Sequence, residues 1–253
     1  MSREQYSRHG ILRYEKMFGQ DFVSTGGAEL VQSLCADLSW AKGIRILDIG
    51  SGLGGPAFLF ARLYDAKVVG VDLSTEMVEI AQERLQQRAE SRVTFVAGDI
   101  AEVPLELSSF DWVWSRDCFL HIPDKRGVLA RSLALLKPGG SLCVTDYACR
   151  AGALSEDFRA YVSNSGYHLL DVEAYGALCE EAGFEDVRAE DISARVVEHM
   201  RRELVMFEQQ RASFVEDFSA EDLDYLIQRW RNKLAFCAEG SMVFVRIQGR
   251  KPE

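Results

Sequence analysis

A carboxylate and an imidazole lie four residues apart at the end of an apolar segment. The stretch is "DWVWSRDCFLHIPD", residues 111–124, and the two side chains belong to Asp117 and His121. Its apolar beginning predicts a buried strand, and if the chain then turns helically, residues four apart face the same way. A carboxylate can hold a cation, and a histidine can accept a proton near neutral pH. The pair is a candidate acid–base site, although a helix-capping Asp and a buried, hydrogen-bonded His would give the same pattern.

A glycine-rich turn follows a second apolar segment. In "GIRILDIGSGLGG", residues 43–55, a predicted strand ends at Asp48 and is followed by Gly50, Gly52 and Gly54. Glycines allow the backbone to approach a ligand closely, and ligands of open parallel sheets bind beyond the carboxyl ends of the strands. The glycines alone are also compatible with a tight turn between strand and helix that binds nothing.

Three acidic residues follow three successive predicted strands. Asp48 precedes the glycines, Asp72 ends the strand in "AKVVGVDLS", and Asp99 lies in "RVTFVAGDI". A loop that holds a pyrophosphate rarely has a carboxylate beside it, whereas Asp48 suits a cationic amino-acid group. Asp72 could accept hydrogen bonds from ribose hydroxyls, and Asp99 could accept one from an adenine amino group. This set favours S-adenosylmethionine over a nicotinamide dinucleotide.

Alternating strands and helices must position these residues. Between residues 43 and 150, apolar segments predicted as strands alternate with helical patterns, which is typical of a parallel sheet with helices on both faces. Beyond residue 150 the sequence predicts further helices, including one long helical stretch over 194–235, and two strands, "EDVRAEDIS" and "SMVFVRIQG". "KPGG", residues 137–140, predicts a turn. We expect all of these elements to form a single domain.

Composition and charge exclude several classes of partner. The chain has 253 residues and a net charge of −10, which argues against nucleic acid, because phosphate contacts require clusters of Lys and Arg. The six cysteines form no C-x-x-C pair, which indicates reduced thiols. The N-terminus is polar, and no apolar run approaches the roughly 20 residues of a membrane span. We therefore expect a soluble, cytoplasmic protein without a membrane partner.

The motifs, taken in order, resemble those of the class I S-adenosylmethionine-dependent methyltransferases. They are "LDIGSGLGG", "GVDLS", "GDI", "FDWVWSRD" and "LKPGGSLCVTD". The resemblance implies an α/β, Rossmann-like fold with a seven-stranded, mostly parallel sheet of order 3-2-1-4-5-7-6, helices on both faces and helical lid segments. It divides the domain 1–253 into a cap over the cofactor (1–42), a cofactor-binding core (43–150) and lid helices with closing strands (151–253). The implied cofactor is S-adenosylmethionine, its product S-adenosylhomocysteine, with no metal.

A more specific similarity connects the start of the chain to the opening motif. "QYSRHGILRYEKMFGQDFVSTGG" (5–27) and "SRDCFLHIPDK" (115–125) resemble the phosphoethanolamine (phosphobase) N-methyltransferases. The second motif is also similar to the sarcosine/dimethylglycine N-methyltransferases. Both families methylate small amines. The resemblance implies that Tyr6 bonds to His121 and latches the site. For an amine acceptor, the negative charge of Asp117 would hold the incoming ammonium group.

These resemblances imply three groups of site residues. The catalytic group is His121, Tyr6 and Asp117. The cofactor contacts are Gln5, Val23, Ser24, Asp48, Gly50, Ser51, Gly52, Asp72, Leu73, Asp99, Ile100 and Ser115. The tyrosines expected to face the substrate are Tyr14, Tyr147 and Tyr167.

Methyl transfer to an amine requires a free lone pair on nitrogen. An amine with a pKa near 10.4 is only about 0.04% neutral at pH 7. The site must therefore remove a proton, either with a base or by desolvation. His121 is the candidate base, and Asp117 would orient the amine.

One position departs from the phosphobase pattern. Those enzymes hold the phosphate with an Arg two residues before the Tyr that matches Tyr167, and this chain has Ser165 there. They also use a late Lys, for which Lys233 is a candidate of uncertain register. Three other arginines could supply the missing charge: Arg150, Arg159 and Arg195. We therefore expect a small amine or amino acid without a phosphate group.

Several other functions stay open on the sequence alone. Within methyl transfer they are phosphoethanolamine methylation with a rebuilt phosphate site, and a C- or S-methyltransferase. A non-catalytic protein that binds S-adenosylmethionine is a third possibility. A nicotinamide oxidoreductase is a fourth, against which Asp48 argues. The expected partner is a small-molecule amine, and the chain is expected to be a monomer or a homodimer.

Overall fold

In the computed structural model, which describes residues 7–253, seven strands form one sheet of order β3-β2-β1-β4-β5-β7-β6. The strands are β1 Arg45–Ile49, β2 Lys67–Asp72, β3 Val93–Ala97, β4 Phe110–Arg116, β5 Leu136–Cys149, β6 Glu185–Asp191 and β7 Met242–Arg250. The helices are α1 Arg8–Phe18, α2 Gly27–Cys35, α3 Gly55–Tyr64, α4 Thr75–Arg88, α5 Lys125–Leu135, α6 Glu156–Ser165, α7 Val172–Glu181, α8 Ser193–Gln209, α9 Arg211–Asp217 and α10 Ala220–Ala238. The strand order implied by the motifs is confirmed.

The strand order reverses at β1, and this places one crevice in the molecule. The strands β1 to β5 run parallel, and β7 runs antiparallel between β5 and β6. Ile46 of β1 pairs with Val68 of β2 on one side and with Trp112 of β4 on the other. The carboxyl ends of these three strands therefore lie together at the point where an open α/β sheet binds its ligands.

Alternate residues of the central strands are buried on opposite faces of the sheet. Ile46 and Trp114 belong to the core that includes residues of α2 and α3, while Leu47 and Val113 belong to the core that includes residues of α5 and α7. All four side chains are fully buried. Burial on both faces explains why the strands are apolar throughout rather than alternating with polar residues.

The segment predicted as a turn, residues 137–140, instead forms the irregular start of β5. Phe110 pairs with Leu136, but Trp112 pairs with Ser141, so the register between β4 and β5 shifts there. Gly139 has a φ of +70°, a conformation that glycine adopts without steric cost. The extra residues form a bulge rather than a separate turn.

The predicted helical stretch over 194–235 is divided into the three helices α8, α9 and α10. A capping box separates α10 from α9: the Ser219 hydroxyl accepts a hydrogen bond from the Asp222 N–H, and the Asp222 carboxylate accepts one from the Ser219 N–H. Such reciprocal bonds satisfy two backbone donors at the start of a helix. The chain therefore folds back on itself here instead of extending.

Helix α1 packs against α8 and α10. The Phe18 ring lies 5.1 Å from the Trp230 ring and 6.0 Å from the Phe207 ring, measured between centroids. The Arg13 guanidinium donates to the Asp222 carboxylate of α10 at 2.6 Å. These contacts join the N-terminal helix to the C-terminal helices.

A second set of ion pairs joins α1 and its following loop to α4. The Arg84 guanidinium donates to Glu15 at 2.6 Å and to Asp21 at 3.1 Å, and Arg88 donates to Asp21 at 2.7 Å. Helix α1 is thus bonded both to α10 near the C-terminus and to α4 of the sheet domain's first half. Over residues 7–253, no helix has the length and apolar character that crossing a membrane requires.

Candidate active site

A cavity of about 560 Å³ lies at the carboxyl ends of β1, β2 and β4. It is lined from the sheet by the glycine turn and by the segment after β4, and from the helices by α1 and α10. The predicted site residues that line it are Tyr14, Val23, Ser24, Gly50, Gly52, Asp72, Leu73, Asp99, Ile100, Asp117, His121, Tyr147 and Tyr167. The strand-end residues and the N-terminal segment thus meet in one cavity. Gln5 and Tyr6 lie outside the described residues.

The glycine turn requires glycine for a steric reason. Gly50 has a φ of +75°, and a Cβ placed there would lie 2.4 Å from the Cys118 Sγ atom. Its N–H donates to the Val71 carbonyl at 2.8 Å, which ties the turn to β2. The backbone of the turn can therefore face the cavity directly, without a side chain between it and a ligand.

Two carboxylates line the cavity beside this turn. Asp72 accepts hydrogen bonds from the N–H groups of Gly52 and Ser74, both at 2.8 Å. Asp99 accepts one from the Ala101 N–H at 2.9 Å. Burial raises the pKa of Asp72. Each carboxylate is held by main-chain donors and retains lone pairs for a ligand hydroxyl or amino group.

Apolar side chains complete this half of the cavity: Ile49, Val71, Leu73, Met77 and Ile100. An apolar lining with carboxylates beside it fits a nucleoside, whose base is apolar on its faces and polar at its edge. It does not fit a pyrophosphate, because the fixed charges beside the turn are negative. Residues 7–253 contain no group of three or more His, Cys, Asp and Glu side chains that could hold a metal ion.

Asp48, Ser51 and Ser115 lie behind the cavity wall rather than in it. Asp48 is 1% exposed, and burial together with the nearby charge of Asp72 raises the pKa of Asp48 to about 8. The Ser115 hydroxyl donates to the Ile49 carbonyl at 2.7 Å and joins β4 to β1. In this structure the three side chains are buried in or beside the glycine turn and do not line the cavity.

Asp117 and His121 both line the cavity, on the segment that follows β4. The predicted helical turn is a single 3-10 turn, Phe119–His121. Asp117 has a φ of +50°, and its N–H donates to the Thr145 carbonyl at 2.9 Å. The Arg116 Nε atom lies 3.8 Å from an Asp117 carboxylate oxygen. Burial lowers the pKa of His121 to about 4, so its ring is neutral at pH 7.

One tyrosine ring contacts His121, and two further tyrosine rings contact that one. The Tyr167 ring lies 5.3 Å from the imidazole in an edge-on arrangement, and the Tyr147 and Tyr161 rings lie 6.0 and 5.8 Å from Tyr167. Tyr14 of α1 also faces the cavity, and burial raises the pKa of Tyr14 to about 12. These rings can attract a cationic ligand through their π-faces.

Two cations on α10 line the same cavity: Arg229 and Lys233. The Lys233 Nζ atom donates to the Tyr147 hydroxyl at 2.8 Å and lies 4.4 Å from the centroid of the Trp230 ring. Lys233 is 4% exposed, and burial followed by the charge of Arg229 lowers the pKa of Lys233 to about 7. Residues four apart on a helix share a face.

Arg229 is not among the site residues predicted from the sequence, and Lys233 is there a candidate without a fixed register. A signal was present in "RWRNK", residues 229–233, because Arg229 and Lys233 flank an apolar Trp230 at helical spacing. Ser165, by contrast, is half-buried at the end of α6 and lies outside the cavity lining.

The segment before α2 is held from two sides. The Arg116 guanidinium donates to the carbonyls of Thr25 and Gly27, and the Glu203 carboxylate accepts from the Gly26 N–H. The other Glu203 oxygen accepts from the Trp230 indole N–H at 2.9 Å. These bonds fix the segment that brings Val23 and Ser24 to the cavity. They were not predicted from the sequence.

Comparison with known proteins assigns the fold to a family. A family model described as a methyltransferase domain matches residues 41–183, more than half of the chain. The chain belongs to the methyltransferase domain family. The match begins just before β1 and ends just before β6, so it spans the glycine turn, the acidic strand ends and the Asp117–His121 segment. The resemblance drawn from the motifs is confirmed.

Individual members of the methyltransferase family are also similar to this domain. It is 41% identical to phosphoethanolamine N-methyltransferase 1 of Arabidopsis thaliana over 92% of this chain and 48% of the relative. It is 29% identical to phosphoethanolamine N-methyltransferase of Plasmodium falciparum over 92% of this chain and 88% of the relative. The chain thus spans about half the length of the plant relative and most of the Plasmodium one.

A solved structure provides the third comparison. Phosphoethanolamine N-methyltransferase 2 of Haemonchus contortus, in complex with phosphomonomethylethanolamine and S-adenosylhomocysteine, superposes with a TM-score of 0.96 at 36% identity. The superposition covers 99% of this chain and 59% of the other. The methyltransferase fold therefore extends over the whole described chain, including α8 to α10.

Proposed function

We propose that this methyltransferase domain transfers a methyl group from S-adenosylmethionine to the amine nitrogen of a small molecule that also carries an anionic group, with phosphoethanolamine as the first candidate. One observation carries the proposal. A single cavity beside the glycine turn contains an acidic residue and a neutral imidazole, Asp117 and His121, together with two cations, Arg229 and Lys233. This charge pattern matches a molecule with an ammonium group at one end and an anion at the other.

The cofactor assignment rests on the other half of the cavity. Asp72 and Asp99 face an apolar slot of nucleoside character, and the backbone of Gly50 and Gly52 faces the cavity. The Haemonchus contortus relative was solved with S-adenosylhomocysteine. When bound, S-adenosylmethionine would supply a methyl group on a positively charged sulfur. Asp48, buried behind the turn with a pKa raised to about 8, would ionise more readily when the net positive charge of such a ligand lies in the cavity.

The chain's own residues prepare the amine. The Asp117 carboxylate attracts the ammonium group, and the tyrosine faces add cation–π attraction of roughly 0.5–2 kcal/mol each. The neutral His121 ring can accept a hydrogen bond or a proton from the nitrogen. A histidine with so low a pKa is a weak base. Desolvation of the ammonium group in the buried cavity must therefore lower the pKa of the amine as well.

The anionic group of the acceptor would bind Arg229 and Lys233. Ser165 led to the expectation of a non-phosphorylated acceptor, and that expectation is not confirmed. The two cavity cations support the alternative, a rebuilt phosphate site on α10. An anion would also add a counter-charge beside Lys233, whose ammonium group is buried near the like charge of Arg229. The charges of Asp117 and Glu203 oppose the effect of Arg229 on Lys233.

A methyl-transfer screen with the purified protein tests the proposal. The acceptors are phosphoethanolamine, ethanolamine, sarcosine, dimethylglycine and amino-acid amines, and mass spectrometry counts the methyl groups added. We expect kcat/KM for phosphoethanolamine to exceed that for ethanolamine by about 100-fold, as loss of a buried charge pair of a few kcal/mol implies. Equal turnover of the two acceptors would contradict a role of the α10 cations in substrate binding.

A carboxylate-bearing amine is the second candidate, favoured by the serine at position 165. Arg and Lys bind carboxylates as well as phosphates, and the guanidinium group of Arg can form a bidentate pair with either anion. Preferential turnover of sarcosine or an amino-acid amine would identify this class. A rise in melting temperature with S-adenosylhomocysteine but not with NADH would separate both candidates from a nicotinamide oxidoreductase.

A further inference from the structure

A buried lysine lies directly behind the proposed acceptor site without lining it. Lys125 is the first residue of α5 and is 4% exposed. The Lys125 Nζ atom donates to the Phe119 carbonyl at 2.7 Å and to the Ile122 carbonyl at 2.8 Å. These two carbonyls flank His121, so one ammonium group binds the backbone on both sides of the imidazole.

Other described bonds of this turn come from the main chain, including one from the Ile122 N–H to the same Phe119 carbonyl at 2.9 Å. The His121 N–H donates to the Cys118 carbonyl at 3.0 Å, and the His168 N–H donates to the Leu120 carbonyl at 2.7 Å. The second bond joins the turn to the segment that carries Tyr167, whose ring contacts His121. Among these described bonds, those from Lys125 alone depend on a side chain and can be removed by substitution.

The position of Lys125 is unfavourable for the stability of the helix. A positive charge in the first turn of a helix opposes the helix dipole, and acidic residues are preferred there. Burial lowers the pKa of Lys125, an effect that the Asp146 carboxylate of β5 opposes. The position would be better filled by an acidic or apolar side chain if helix stability alone mattered. Its two carbonyl contacts supply another reason for a lysine.

We propose that Lys125 is a positioning residue that holds the 119–122 turn in the conformation in which His121 faces the bound amine. The long stem of Lys125 runs from α5 to the turn, where its ammonium group donates to two carbonyls. Without it the Ile122 carbonyl would lose its described donor, and the Phe119 carbonyl would keep the Ile122 N–H. The inference rests on the proposed methyl transfer, because His121 acts only if an amine is the acceptor. Lys125 itself touches no reacting atom.

The Lys125→Met variant tests the proposal. It keeps the length of the stem and removes the donors. We expect kcat for the best acceptor to fall by about 10-fold to 100-fold, the range that a small misplacement of a reacting group can cost. We expect KM and the affinity for S-adenosylhomocysteine to change by less than about 3-fold, because the described bonds of Lys125 go to the 119–122 turn and not to Asp117 or the cofactor half of the cavity.

Asp124→Ala is the matched control. The Asp124 carboxylate caps the same end of α5 by accepting from the Gly127 N–H at 2.9 Å, and it makes no bond to the turn. Its removal should lower the melting temperature while leaving kcat unchanged. An equal loss of kcat in Asp124→Ala and Lys125→Met would overturn the inference, since general destabilisation of α5 would then explain both.

A double-mutant cycle gives the sharper readout. If Lys125 acts through His121, then Lys125→Met should cost nothing further in kcat when added to His121→Ala. An equal loss in both backgrounds would overturn the inference. Should Lys125→Met fail to fold, Lys125→Leu, which also lacks hydrogen-bond donors, takes its place under the same criteria. Absence of methyl transfer in the wild-type protein would remove the proposed function, whereas an active wild type with an unimpaired variant would remove only this inference.

Discussion

The backbone at Asp117 is left-handed, with a φ of +50°. Among residues with a Cβ, Asp and Asn adopt this conformation most readily, and other residues adopt it at a steric cost. Backbone strain persists where the surrounding structure holds it, here through the bond from the Asp117 N–H to Thr145. The conformation turns the chain at the end of β4, so that both Asp117 and His121 reach the cavity.

Asp117→Asn should separate charge from backbone conformation. Asn tolerates the left-handed conformation, so the fold should be retained, while the negative charge is lost. We expect KM for the amine to rise by about 10-fold or more, since a hydrogen bond to a charged group contributes about 1.5–3 kcal/mol. The affinity for S-adenosylhomocysteine, measured by titration calorimetry, should change by less than about 2-fold.

The control for this substitution is Asp186→Asn. Asp186 also has a positive φ, of +53°, but it lies on the edge strand β6 with a largely exposed side chain. It should leave KM unchanged. An unfolded Asp117→Asn protein would show that the carboxylate has a structural role at the end of β4.

Which residues of the site could be predicted from the sequence depends on where they lie. Asp72, Asp117 and His121 follow apolar strands, and the carboxyl ends of parallel strands meet at one edge, so the pattern places them together. Arg229 lies among other charged residues of a polar helix, where charge is normally solvated. The inward face is decided by the packing of Trp230, which contacts Phe18 and Phe207 from distant parts of the chain.

At the scale of elements, α10 carries the proposed anion site. Arg229→Gln should raise KM for phosphoethanolamine by about 10-fold to 100-fold and change KM for ethanolamine little. Only phosphoethanolamine has an anionic group, and in the variant this group would lose its pairing with Arg229. Arg231→Gln is the control: Arg231 lies two residues away on an exposed face and pairs with Glu208. Steady-state kinetics of both variants with both acceptors measures the effect. An equal response to the two acceptors would contradict the assignment.

Helix α1 carries two ion pairs of similar length and different burial. The Arg13–Asp222 and Lys16–Asp217 pairs are both 2.6 Å long, but the Arg13 side chain is 8% exposed and the Lys16 side chain 33%. Arg13→Met should lower the free energy of unfolding by about 1–3 kcal/mol, because the partly buried Asp222 carboxylate loses a charged donor and keeps, among the described residues, only His9 and Ser219. Lys16→Met should cost less than about 1 kcal/mol. Chemical denaturation of both variants provides the comparison, and equal costs would contradict a special role of the α1–α10 contact.

Element boundaries were predicted less well than the elements themselves. The helices α8 to α10 read as one stretch because no Gly or Pro interrupts residues 194–235. The capping box at Ser219 and Asp222 was a local signal of the break. The chain also breaks at Gln210, which has no side-chain cap and is positioned by the packing of Phe207 and Phe214 in the core.

At the scale of the whole molecule, buried carboxylates should make the stability of the ligand-free protein depend on pH. Burial and the charge of Asp72 raise the pKa of Asp48 from an ordinary value near 3.8 to about 8. The folded state therefore binds a proton that the unfolded state has lost between these values, so the free energy of unfolding should fall as pH rises through this window. Above about pH 8 this contribution no longer changes.

Asp48→Asn should remove this dependence. The stability of the variant relative to wild type should increase between pH 5 and pH 8, by at most about 1.4 kcal/mol per pH unit. Denaturation without ligand at the two pH values measures the difference. Asp65→Asn, at an exposed loop position, serves as the control and should show no such increase. A pH-independent difference for Asp48→Asn would contradict the raised pKa.

The overall strand order could be predicted only through the resemblance of the motifs. Periodicity identifies β6 and β7 as strands, but nothing in either segment indicates that β7 lies between β5 and β6. That arrangement follows from the pairing of Tyr147 with Phe244 and of Glu190 with Arg246, which join segments about 100 and 55 residues apart in the chain. Such distant pairings leave no local pattern to read.

The insertion of β7 has a consequence for synthesis on the ribosome. β6 is synthesised before β7, and within residues 7–253 β7 is its only strand partner in the sheet. β6 therefore has no partner until residues 242–250 have been translated. A nascent chain stopped before that point carries the open edge of β5 and an unattached β6, both of which invite aggregation. We expect prematurely terminated chains to be bound by chaperones or degraded, and translation of β7 to be the event that commits the domain to its native sheet.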